Sequence, residues 1–149
     1  MAGVFWGLLG IVAGAFVAIQ VPINAELARG LGSPLAAAAI SFFSGALMLS
    51  ALTFLVIRFQ GVSIAWREPE LWLFVVGGML GAVYVTTSIL LIPRIGAAAL
   101  IAFLITGQLV AGMLIDRIGF LGVAMREISL GRLAGACLLI VGAVMVRYL

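Results

Sequence analysis

Histidine and lysine are absent from this 149-residue chain, and cysteine occurs once, as Cys137. These absences remove whole classes of chemistry. Neither a Cys/His metal site nor an intramolecular disulfide can be assembled, and Cys137 reads as a small core residue. No Ser-His-Asp or Cys-His set exists, and no glycine loop ending in Gly-Lys is available to cradle a phosphate. The chain is therefore not expected to be an enzyme or to need a cofactor. Charge is scarce as well, at 9% of residues against about 25% in soluble domains. All eight basic residues are arginines at or near the ends of apolar runs, where a long side chain can snorkel to the headgroups. With no basic stripe to meet phosphates, nucleic acid is not an expected partner.

The remainder is overwhelmingly apolar. Hydrophobic residues make up 66% of the chain and the mean hydropathy is +1.39. A water-soluble fold of this size cannot hide so much apolar surface, so a lipid bilayer must cover it. Apolar runs at residues 3–25, 34–57, 71–92, 96–115 and 131–148 predict an all-α polytopic membrane protein with five transmembrane helices in one domain, residues 1–149. Each of the first four holds about 20 residues or more, enough to cross about 30 Å of hydrocarbon. In the fifth, Arg132 and Arg147 leave only residues 133–146 uncharged, so the arginines must snorkel or the bilayer must thin. The N-terminal run has no preceding basic residues and outlasts a secretory signal core, so it is read as a retained helix.

The run boundaries carry helix punctuation. Gly30 and Gly32 end the first helix region, and Ser33-Pro34 offers an N-cap with proline at the first helical position. Pro69 is expected to precede run three in a similar way. Pro93 and Gly96 bracket a turn so short that runs three and four should be antiparallel neighbours. Residues 117–132 mix apolar and charged side chains and are expected along the membrane surface, with Asp116-Arg117 a solvated local ion pair.

Five crossings would put the termini on opposite sides. The N-terminal side then receives Arg58, Arg67, Arg117, Arg126 and Arg132, and the other side Arg29, Arg94 and Arg147. Five against three favours a cytoplasmic N-terminus by only two arginines, which leaves insertion in both orientations open.

Small residues recur at helical spacing. Gly7 and Gly14 belong to a stripe on helix one, Gly77 and Gly81 lie on one face of helix three, and Gly131, Gly135 and Gly142 mark helix five. Such stripes let membrane helices approach closely, either within one bundle or across a dimer contact. Polar groups that lipid cannot satisfy carry the functional signal. Gln20 and Asn24 are four residues apart on helix one, with Pro22 between them. Ser41, Tyr84 and Thr87 fall in the same half of the bilayer, and Gln108 lies near its midplane. Unpaired amides cost several kcal/mol in hydrocarbon, so Gln20, Asn24 and Gln108 must face solute, water or another helix. The hydroxyls can instead bond to their own helix. Glu26, at the headgroup level, is the candidate for a coupling carboxylate.

Several motifs agree in order and spacing. Gln20-x-x-x-Asn24-x-x-Leu27, Ser33-Pro34, Ser41-Phe42-x-x-Gly45, Gly77-Gly78-x-x-Gly81-Ala82, Pro93-x-x-Gly96, Gly107-Gln108, Asp116-x-x-Gly119 and Arg132-x-x-Gly135 run nearly end to end. Together they resemble the YdcZ-like family of bacterial inner-membrane proteins, within the drug/metabolite transporter superfamily. The resemblance implies half of a ten-helix transporter, working as an antiparallel homodimer or beside an oppositely oriented homologous subunit. It differs from the small multidrug resistance proteins, whose first helix carries a deep carboxylate, because residues 10–19 here are uncharged. Amides, hydroxyls and the rings of Phe16, Phe42, Tyr84 and Phe103 suit a neutral, zwitterionic or amphiphilic small solute. The expected function is a secondary transporter subunit working by alternating access. A small dimeric channel and a non-transporting accessory membrane subunit are the rival classes.

Overall fold

The computed structural model describes residues 2–149. It is all-helical among those residues: α1 (Ala2–Leu31), α2 (Pro34–Gln60), α3 (Leu73–Ile95), α4 (Ala97–Ile118) and α5 (Leu130–Tyr148), with one 3₁₀ turn at Phe120–Gly122. All five α-helices are long and apolar enough to cross a membrane. Side chains such as Phe43, Phe54, Met79 and Leu138 point outward, as lipid-facing positions must.

Helix ends follow local chemistry. Ser33 caps α2, its Oγ accepting the Ala36 N–H at 3.2 Å, and Pro34 occupies the first helical position. Gly61 closes the same helix at φ 65, donating its N–H to the Ile57 carbonyl. Ser129 caps α5 in the same manner through the Arg132 N–H. Gly96 is the entire link between α3 and α4; its φ of 81 is a conformation that glycine adopts without steric cost.

Several boundaries differ from the sequence expectation. α1 continues six residues beyond Ala25, carrying Glu26 and Arg29 on its last turns. Pro22 lies inside it, with no N–H to offer the Ala18 carbonyl, yet the helix is unbroken. Pro69 does not open α3, which begins at Leu73 after turn bonds from Leu73 to Glu70 and from Phe74 to Leu71. Pro93 lies in the last turn of α3 rather than in the following link, because helix continues through Ile95. The segment after α4 is a closed loop. Leu121 takes a left-handed φ of 53, and the Arg126 N–H returns to the Asp116 carbonyl at 2.9 Å.

The contacts divide the chain into two compact units, one ending at Leu90 and the other starting at Leu91. In the first, α1 packs against α2. Ala28, Ala37, Ala38, Val85 and Ile89 form its core, with Leu27 and Tyr84 against it. Alanines at the centre let α1 and α2 approach closely, the means by which helices associate in lipid. A Cβ built on Gly81 of α3 would meet Phe42 Cζ of α2 at 2.9 Å, so this glycine is where the Phe42 ring is seated. In the second unit α4 packs against α5, burying Ala136 and Ala143 one heptad apart. Cys137, next to Ala136, is exposed rather than part of a core. One residue step turns a helix by about 100°, which carries it off the packed face.

Candidate functional site

Helices α1 and α3 present polar pairs at the same spacing. Gln20 and Asn24 are separated by four residues on α1, and so are Tyr84 and Ser88 on α3. Four residues are just over one turn, so both members of each pair share a face. All four line one cavity, walled otherwise by Val21, Val85 and Ile89. Its volume is about 10 Å³, the lower limit for holding a single water.

The polar groups around this cavity are not equally engaged. Gln20 Nε2 donates to Ser41 Oγ of α2 at 3.3 Å, which draws Ser41 into the same cluster. Ser88 is 1% exposed, and its hydroxyl donates to the Tyr84 carbonyl at 2.7 Å. That back-bond satisfies the serine donor and leaves its oxygen able to accept. Asn24 is 5% exposed, and its amide makes no side-chain hydrogen bond among the described residues. No buried side-chain nitrogen or oxygen lacks a partner among the described residues, so the Asn24 amide atoms keep accessible surface although the residue as a whole is buried. The cavity is the direction in which Asn24 can find a partner.

The other sequence-derived candidates lie elsewhere. Thr87 is exposed and is not among the cavity residues. Glu26 is exposed on the last turns of α1, paired with Arg29 one turn on. Gln108 belongs to the second unit, where it stands at one end of an open groove of about 430 Å³ between α4 and α5. Asp116 and Arg132 stand at the other end, with Gly112, Met113, Gly135 and Leu139 between. Arg132 Nη1 lies 3.1 Å from Asp116 Oδ2, both side chains about 30% exposed (31% and 28%). Asp116 thus pairs across two helices and not with its sequence neighbour Arg117. The chain reversal brings α5's first turn to α4's last turn, and the next residue on a helix points elsewhere.

Of the glycines on the sequence stripes, Gly81 meets Phe42, and a Cβ on Gly131 would lie 3.9 Å from Ser129 Oγ. Nothing among the described residues lies within 4 Å of a Cβ built on Gly7, Gly14, Gly77, Gly135 or Gly142. Ser88 and the Asp116–Arg132 pair are the polar groups that sequence reasoning underweighted. The Tyr84/Ser88 spacing signals the first; only the three-dimensional chain reversal reveals the second.

The chain matches the protein family described as "Putative inner membrane exporter, YdcZ" over residues 5–145. It is 33% identical to the inner membrane protein YdcZ of Escherichia coli (strain K12), across 66% of this chain and 70% of that relative. No solved structure matches the chain.

Proposed function

Because the chain belongs to the YdcZ family, we propose that it is a subunit of an inner-membrane secondary transporter of the drug/metabolite type. It moves a small neutral, zwitterionic or amphiphilic solute by alternating access. The observation that carries this reading is the Asn24 amide, which makes no side-chain hydrogen bond among the described residues and lines one cavity with Gln20, Tyr84 and Ser88. An amide whose atoms stay accessible beside other polar groups can take its hydrogen bonds from a solute. The uncharged donors and acceptors around it suit a solute that carries no net charge.

A cavity of about 10 Å³ does not enclose a metabolite. Within the proposal it is the collapsed form of the site, which widens when α1 and α3 part. Two oppositely oriented copies would supply two such clusters, one nearer each membrane face, the arrangement by which inverted repeats alternate access. The near-even arginine distribution supports insertion in both orientations.

The test is a thermal-stability screen of purified protein against metabolites, repeated with Gln20→Leu and Asn24→Leu. A compound at 100 times its Kd stabilises by about 2.7 kcal/mol, a readily measured shift. Loss of that shift in both variants supports the reading. A compound whose shift survives both substitutions places the solute elsewhere. Reporter fusions at the C-terminus test the dimer: a single orientation, with no oppositely oriented homologue encoded, would exclude the inverted pair.

A further inference from the structure

The groove between α4 and α5 orders its polarity along its length. Asp116 lies in the last turn of α4, which ends at Ile118, and Arg132 lies in the first turn of α5, just after the Ser129 cap. Ends of membrane-spanning helices sit at the headgroup level. Below the ion pair the walls become apolar, with Met113 and Leu139 flanking Gly112 and Gly135. A Cβ on either glycine would meet nothing within 4 Å, so space is open along the groove. It continues to Gln108, eight residues and about 12 Å from Asp116 at the helical rise. Charged at the helix ends and apolar further in, this is the sequence of environments that a bilayer lipid itself follows.

The ion pair leaves capacity unused. Its one contact joins Arg132 Nη1 to Asp116 Oδ2, and neither side chain makes another bond among the described residues. A guanidinium has five donors and a carboxylate two oxygens, so most of the donors and one whole oxygen remain available. An anionic ligand alone would be repelled by Asp116, and a cationic one by Arg132. A ligand carrying both charges meets both residues.

We propose that this groove is a specific site for a zwitterionic phospholipid of the surrounding bilayer, with its phosphate on Arg132, its ammonium on Asp116 and an acyl chain along Met113 and Leu139. The groove volume of about 430 Å³ falls in the range of about 300–1,000 Å³ typical of small-molecule sites. Phosphate suits the planar guanidinium, which can engage two of its oxygens at once. The site is separate from the Asn24 cavity and does not depend on what that cavity transports.

The experiment is native mass spectrometry of the purified protein after reconstitution with equal phosphatidylethanolamine and phosphatidylglycerol. Wild type is expected to retain phosphatidylethanolamine about tenfold over phosphatidylglycerol, the factor one charge-assisted hydrogen bond supplies. Asp116→Asn should reverse the preference, because the cation that remains favours the anionic lipid. Arg132→Gln should lower retention of both lipids about tenfold, and Arg132→Lys should keep the wild-type order. Gly112→Leu, which narrows the groove without touching either charge, should reduce retention and keeps the test open if Arg132→Gln does not fold. Equal retention of the two lipids by wild type overturns the proposal, as does a preference that Asp116→Asn leaves unchanged. Stabilisation of delipidated protein by a free zwitterionic solute, lost in Arg132→Gln, also overturns it by naming a different occupant.

Discussion

Gln20 of α1 donates its amide N–H to Ser41 of α2 at 3.3 Å, whereas Asn24, one turn further along the same face, has no such partner. Two amides on one helix stripe are therefore in different states. Gln20 is tied to the scaffold through one N–H, and its second N–H and its carbonyl oxygen remain for other work. Asn24 offers both its oxygen and its NH₂.

This difference predicts a separation of stability from function at Asn24. The Asn24 amide makes no side-chain hydrogen bond among the described residues and its atoms are accessible, so an apolar side chain there removes no polar interaction that holds the fold. Asn24→Leu is thus expected to melt at the same temperature as wild type or higher, while losing any solute-induced shift. Thermal melting with and without the solute checks both halves. A clear loss of solute-free stability would mean that Asn24 is structural.

Ser41→Ala should behave differently. It removes one exposed, long hydrogen bond, worth about 0.5–1.5 kcal/mol at most. The freed Gln20 amide can turn toward the Asn24 cavity, so solute affinity is expected to fall severalfold or less. Titration of Ser41→Ala and Asn24→Leu side by side should rank Asn24 as the more damaging.

The Gly81–Phe42 contact gives a test of packing between α2 and α3. Alanine at position 81 gains about 1 kcal/mol of helix propensity but pushes the tip of the Phe42 ring, at 2.9 Å from the new Cβ. The ring can swing, so Gly81→Ala is expected within about 1 kcal/mol of wild type. Gly81→Leu cannot be accommodated by a ring shift and should cost about 1–3 kcal/mol. At Gly77, where nothing lies within 4 Å of a Cβ, alanine should be neutral or stabilising in the monomer. Denaturation in detergent micelles measures all three.

Much of this was legible in the sequence because membrane helices are specified by one strong signal, apolar length. The five helices and the Ser33-Pro34 start follow from composition and capping chemistry alone. Helix ends were harder, since apolar length says where lipid begins and not where hydrogen bonding stops. α1 therefore runs on through Glu26 and Arg29, and α3 keeps Pro93. The Gln20/Asn24 pair is readable from its spacing, and the fold brings Ser41 and Tyr84 beside it. Periodicity on one helix says nothing about which other helix it meets, so neither the meeting of Ser88 with Gln20 and Asn24 nor the exposure of Thr87 and Cys137 could be read from it. Sequence adjacency points Asp116 to Arg117, the only neighbour it makes visible.

The Asp116–Arg132 pair carries the sharpest test of the second unit. Arg117 follows Asp116 directly, but the guanidinium at 3.1 Å belongs to Arg132, sixteen residues on. The loop between them is anchored at the same residue, since the Asp116 carbonyl accepts the Arg126 N–H. Both charged groups are about 30% exposed, so screening limits the pair to about 1 kcal/mol or less. Arg132→Gln should therefore destabilise the fold by about that amount, and Arg117→Gln should leave it unchanged. A double-mutant cycle with Asp116→Asn isolates the pairwise energy. Coupling of about 0.5–1 kcal/mol between positions 116 and 132, and none between 116 and 117, is the expected outcome. Coupling to Arg117 instead would mean that α4 and α5 do not meet at this end in the membrane.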